Sequence, residues 1–100
     1  MNDLELSRLC AKALDLFDWE WYFTPLHNAE QNAQLESWLL REGYWIEFGF
    51  CGCVVRKTER ITDYGDFRKE WNLDMTIPEN RWRAVVEAVA RIMEERSGKA

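Results

Sequence analysis

The chain has 100 residues, 47% of them apolar and 14% aromatic, with a formal net charge of −5. That length is ordinary for a single domain and buries roughly 60–70% of the unfolded chain's surface, enough for a core without staples. The composition excludes a disordered chain, and no apolar run approaches the ~20 residues that cross a bilayer.

The first element in chain order is a helix from Asp3 to Phe17. Leu6, Leu9, Cys10, Ala13, Leu14 and Phe17 recur at i, i+3, i+4 spacing, which places them on one face. Asn2 is a suitable cap, with Glu5 in the reciprocal position. Asp18 to Phe23 then alternates, with Trp19, Trp21 and Phe23 against Asp18, Glu20 and Tyr22, and predicts a strand. Thr24-Pro25-Leu26-His27 ends it. A second helix begins after Asn28, with Leu35, Trp38 and Leu39 inward and Gly43 as its C-terminal stop.

Tyr44 to Phe50 alternates again. Tyr44, Ile46, Phe48 and Phe50 share one side, and Trp45 and Glu47 share the other. Cys51-Gly52 reads as the turn of a hairpin returning through Cys53 to Lys57. Asp63, Gly65 and Asp66 mark a further turn, and Ile61–Tyr64 and Phe67–Trp71 each have strand composition. Thr76, Pro78 and Glu79 open a last helix whose inward face is Trp82, Val85, Val86, Val89, Ile92 and Met93. The expected fold is α+β, in the order α-β-α-β-β-(β)-α. Three helices pack on a small, mainly antiparallel sheet in one sandwich domain over residues 1–100.

The residue types that carry chemistry are sparse. The lone histidine, His27, follows Pro25-Leu26 in a turn, and Ser7, Ser37 and Ser97 lie in or beside helices without the glycines of a nucleophile elbow, so no triad is expected. Cys51 and Cys53 supply two thiols, but a structural zinc site needs four ligands and no second pair has suitable spacing. Gly49-Phe50-Cys51-Gly52 precedes a strand and lacks the third glycine of a dinucleotide loop. No cofactor, metal or catalytic residue is expected. The three cysteines are Cys10, Cys51 and Cys53, an odd number, and the acidic start Met1-Asn2-Asp3-Leu4-Glu5 lacks the features of a signal peptide. The expectation is a cytoplasmic protein without disulfides.

Charge is distributed unevenly. Residues 1–50 hold three bases and nine acids, a net of −6, while residues 51–100 hold ten bases and nine acids, a net of +1. The acidic half repels nucleic acid and attracts a basic surface. Bases gather at Arg56-Lys57, Arg60, Arg68-Lys69, Arg81 and Arg83, but Glu59, Asp63, Asp66, Glu70 and Glu79 are interleaved with them. Direct nucleic-acid binding is therefore not expected. Asp18, Glu20 and Tyr22 fall on the polar side of the first predicted strand. Trp45 and Glu47 share the second side of the next predicted strand; with one sheet face open they are displayed, and with helices on both faces they are core. Aromatics among carboxylates suit an interface, where Trp and Tyr dominate binding energy. These five are the predicted contact residues, with Glu30 and Glu36 at the periphery.

Leu6-Ser7-Arg8-Leu9-Cys10-Ala11-Lys12-Ala13-Leu14, then Thr24-Pro25-Leu26-His27-Asn28, then Asn80 to Ala90 (NRWRAVVEAVA) resembles the phage ABA-sandwich family, small proteins of bacteriophages and prophages. The likeness covers both ends and one loop; the aromatic stretch 43–57 with Cys51-Gly52-Cys53 departs from it. It carries over no catalytic residue. A phage origin would imply an inhibitor of a host nucleic-acid-handling defence complex, such as an anti-CRISPR protein, in which an acidic face competes with phosphate for a basic channel. The alternative is a phage structural or regulatory module, joined as a homodimer through its aromatic sheet face.

Overall fold

The structure, a computed structural model, describes residues 1–57 and 68–98. Asn2 caps α1 (Asp3–Ala13) by accepting the Glu5 N–H at 2.8 Å, and Asn28 caps α2 (Ala29–Arg41) by accepting the Gln31 N–H at 2.9 Å. In both, a short polar side chain satisfies an N–H that has no partner within its own helix. Gly43 follows α2 at φ +87° and gives its N–H to the Leu40 carbonyl, the left-handed stop expected there.

The hairpin forms as the alternation predicts. Strands β1 (Tyr44–Phe48) and β2 (Cys53–Lys57) pair antiparallel, with Ile46 opposite Val55 and Phe48 opposite Cys53. Strand β3 (Arg68–Trp71) pairs antiparallel with β2, Cys53 opposite Trp71, to complete a sheet in the order β1-β2-β3. The expected strand at Ile61–Tyr64 and the turn at Asp63–Asp66 lie outside the described residues. Helix α3 spans Pro78–Gly98. The fold is thus α+β, three helices with a three-stranded antiparallel sheet, and the elements run α-α-β-β-β-α.

Four local expectations are corrected. Asp18–Phe23 is not a strand; it holds a single 3₁₀ turn at Trp19–Trp21. α1 stops at Ala13, so Phe17 leaves the helix and stands 86% exposed instead of joining the core. β1 ends at Phe48, which takes Phe50 off the inner face and leaves it 81% exposed. At α3, Thr76 does not cap the helix. Its hydroxyl and its N–H both go to the Asp74 carboxylate, holding that carboxyl below its ordinary range. Pro78 occupies the first helical position, where its missing N–H costs nothing.

Helix α3 is the centre of the molecule. Ala84, Val85, Val86, Ala88, Val89, Ala90 and Ile92 are all buried, too many for one stripe, because α1 packs on one side of α3 while α2 and β2 pack on the other. The three alanines permit that close approach from both sides. The helices run in the same direction. Asp3 and Lys12 of α1 meet Arg83 and Ser97 of α3, first with early and last with late. Asn32 and Glu42 of α2 meet Trp82 and Arg96 of α3 in the same order. Trp82, expected in the core, is only half-buried at this near end.

Candidate functional site

The surface feature that stands out is the connection between α1 and α2, and it begins with how α1 ends. Leu16 N–H bonds the Ala11 carbonyl at 3.0 Å and Asp15 N–H bonds the Lys12 carbonyl at 3.2 Å. This nested pair is a Schellman motif, whose pivot residue must be left-handed. Asp15 is that pivot, at φ +56°. Aspartate is one of the few residues other than glycine that adopts this region with some frequency. Three residues on, Asp18 repeats it at φ +51° and turns the chain into Trp19–Trp21.

The turn sorts its aromatics by helical spacing, not by alternation. Trp19 and Phe23, four apart, are joined by the Phe23 N–H to Trp19 carbonyl bond at 2.8 Å. Phe23 is buried and Trp19 packs against the core. Trp21 and Tyr22 therefore face outward, 89% and 50% exposed. Tyr22 gives its hydroxyl to the Phe17 carbonyl at 3.1 Å, which braces the loop across its width. Gln31 of α2 ties down the far end through both ends of its amide. Its Nε2 donates to the Tyr22 carbonyl at 2.7 Å, and its Oε1 accepts the Thr24 N–H at 2.7 Å. Asn32 adds a buried clamp, donating to the carbonyls of Pro25 and Trp82 at 3.1 and 2.9 Å.

The result is a braced segment, residues 15–22, that presents Phe17, Trp21 and Tyr22 together with Asp15, Asp18 and Glu20. All six are exposed, and no described residue forms an ion pair with the three carboxylates. Exposed aromatics cost solubility unless they are used, and the acids beside them have no countercharge of their own.

Of the seven predicted contact residues, Asp18, Glu20 and Tyr22 share this segment. Trp45 and Glu47 are elsewhere, on the outer face of the sheet, opposite the face that α2 and α3 cover. Trp45 is 51% exposed and Glu47 is exposed with it. Glu36 belongs to α2, on the covered side, near enough to Cys53 to help push that thiol up. Glu30 is exposed in the first turn of α2, where a carboxylate complements the helix dipole. The seven therefore divide between at least two surfaces. Sequence reasoning places Trp21 and Phe17 in the core, and so passes over the two most exposed aromatics among the described residues.

The other candidate chemistry remains dispersed. His27 is exposed and its N–H closes the turn onto the Thr24 carbonyl at 2.9 Å. Cys10 and Cys53 are buried thiols, both pushed upward by burial, Cys53 to about 12. Cys51 is exposed and free. Among the described residues no three His, Cys, Asp or Glu side chains come together as metal ligands, and no helix is long and apolar enough to cross a membrane. Comparison of the chain with family models, with curated proteins and with solved structures finds no match.

Proposed function

We propose that the protein acts by binding, without catalysis, and that residues 15–22 are its docking element for a partner with a basic surface. One observation carries this reading: three aromatics and three carboxylates without an ion pair among the described residues are exposed on one segment that α1 holds at its start, Gln31 holds at its end and the Tyr22–Phe17 bond braces within. Aromatic anchors supply contact area at low entropic cost, and the carboxylates steer a cationic surface toward them. The likeness to phage proteins gives the reading its concrete form, a phage-encoded inhibitor that occupies the nucleic-acid channel of a host defence complex and excludes phosphate by charge.

The test is phage plating on bacteria whose CRISPR immunity targets that phage, with and without this protein. The wild-type chain should restore plaques, and a Trp21→Ala, Glu20→Lys variant should not. Plating that stays suppressed with abundant wild-type protein, across the CRISPR types tried, removes the inhibitor reading. The homodimer reading retains one supporting observation, the exposure of Trp45 on an edge strand. Sedimentation as a dimer that a Trp45→Glu change dissociates would favour it.

A further inference from the structure

A second feature lies at the far end of the sheet, where the β1–β2 loop meets the end of β3. The loop is pinned by its backbone. Gly49 N–H bonds the Gly52 carbonyl at 2.7 Å, and Met75 N–H bonds the Phe50 carbonyl at 3.3 Å. Gly52 lies so close to β3 that a Cβ there would stand 2.8 Å from the Trp71 carbonyl oxygen. The Phe50 ring is held out at 81% exposure by these backbone contacts, not by packing of its own. Between this loop and β3 runs an open groove of about 350 Å³, lined by Glu47, Phe50, Cys51, Val54, Glu70 and Trp71 among others.

The pairing register explains its chemistry. Glu47, Val54 and Glu70 are successive partners across the three strands, so they point to the same, outer face. The two carboxylates flank an apolar floor, with about 10 Å between their backbones at ordinary strand spacing. Glu70 has contacts of its own; Glu47 has no ion-pair partner among the described residues. Among the described residues, no lysine or arginine lines the groove. A carboxylate at the wall, an apolar floor and an exposed aromatic ring at the rim complement one side chain in each part. Arginine has an aliphatic stem for the floor and a planar guanidinium that both pairs with a carboxylate and stacks on a ring.

We propose that this groove receives an arginine side chain from the basic partner, as a contact separate from residues 15–22. The proposal rests on the reading that the partner is basic, and the test does not require the partner. Cys51 lines the groove and is exposed, whereas Cys10 and Cys53 are buried, so alkylation of Cys51 by neutral iodoacetamide reports on occupancy. The rate is followed by intact mass while N-acetyl-arginine methylamide is titrated in at constant ionic strength. Saturable slowing is expected, with a weaker effect from the lysine counterpart. Glu47→Gln and Phe50→Ala should each raise the midpoint, the former on the order of tenfold for loss of a charged hydrogen bond. Trp21→Ala should leave it unchanged. Absence of saturable protection, equal protection by the lysine compound, or an unshifted Glu47→Gln midpoint each overturns the arginine assignment. If the arginine compound protects Cys51 while Trp21→Ala leaves plaque restoration intact, the groove stands and the assignment of residues 15–22 falls.

Discussion

Trp21 separates the two readings of the α1–α2 connection by energy. Were Asp18–Phe23 a strand with Trp21 beside Phe23 in the core, Trp21→Ala would open a cavity and cost about 3–5 kcal/mol. In the structure Trp21 is 89% exposed. The tenth or so of its surface that is covered is roughly 25 Å², and at about 25 cal/mol/Å² this amounts to about 0.6 kcal/mol. Phe23, two residues away and 3% exposed, should cost the full ~3–5 kcal/mol when truncated. Urea unfolding followed by far-UV circular dichroism reads both. With a slope of about 2 kcal/mol/M, Trp21→Ala should move the midpoint by about 0.3 M and Phe23→Ala by about 2 M. The slopes themselves should not change. A loss above about 2 kcal/mol for Trp21→Ala would show that its ring is buried, and the docking element would lose its principal anchor. The same variant, nearly neutral in urea, should lose on the order of thirtyfold or more in affinity for the partner, as an interface anchor does.

Further outcomes follow from the backbone and the thiols. Asp15→Gly should stabilise the fold by about 0.5–1 kcal/mol, because glycine takes the left-handed pivot without strain, and Asp15→Val should destabilise it; equal effects in urea would show that the pivot is unstrained. Gly52→Ala should cost about 1–3 kcal/mol, since the new methyl must push β2 away from the Trp71 carbonyl; an unchanged melting curve would place β3 elsewhere. The raised thiols of Cys10 and Cys53 remain protonated in the folded chain while the unfolded chain loses those protons near the ordinary value of 9. Their contribution is therefore complete below pH 9 and declines as pH rises from there toward about 12, where Cys53 ionises in the fold as well. Each thiol takes about 1.4 kcal/mol per pH unit in that window. A Cys10→Ala, Cys53→Ala variant should show a flatter alkaline decline than the wild type, and identical slopes would mean that neither thiol is buried.

Much of this fold is legible in the residues, and the failures have two causes. Asn2 and Asn28 announce helix starts because an N-cap is a local event between residues three apart. The Tyr44–Phe48 alternation succeeds because one face of the sheet is covered and the other is not; parity alone pairs Trp45 with Glu47, and only the structure shows that theirs is the uncovered face. The end of α1 was not legible. Its pivot is an aspartate, and Leu14, Leu16 and Phe17 continue a helical pattern past it. Trp19, Trp21 and Phe23 fit a period of two as well as Trp19 and Phe23 fit a period of four, and only the backbone closure from Phe23 to Trp19 decides between them. The groove was out of reach for a different reason. It depends on Met75 holding the Phe50 carbonyl and on Gly52 meeting Trp71, contacts between segments roughly twenty residues apart that leave no periodic trace.

The parallel course of the three helices also reinterprets the acidic first half of the chain. Three aligned helices bring three partially positive N-termini to one end and three partially negative C-termini to the other, an arrangement that opposes itself unless side chains compensate. Asp3, Glu5, Glu30 and Glu79 occupy the first turns, and Lys12, Arg41 and Arg96 occupy the last. Asp3 is further paired with Arg83, Glu5 with Arg8, and Glu42 with Arg96. Four of the nine acids in residues 1–50 are thus engaged by the protein's own helices and cations, and Glu36 sits on the covered side of the sheet. The acids outside these engagements are Asp15, Asp18 and Glu20 on the braced loop, and Glu47 at the groove. The continuous acidic face that composition suggests is in fact two small ones. Reversing the helix-end acids would weaken the fold, whereas reversing Asp18 and Glu20 would leave it standing and remove the charge that the proposed docking element offers a basic surface.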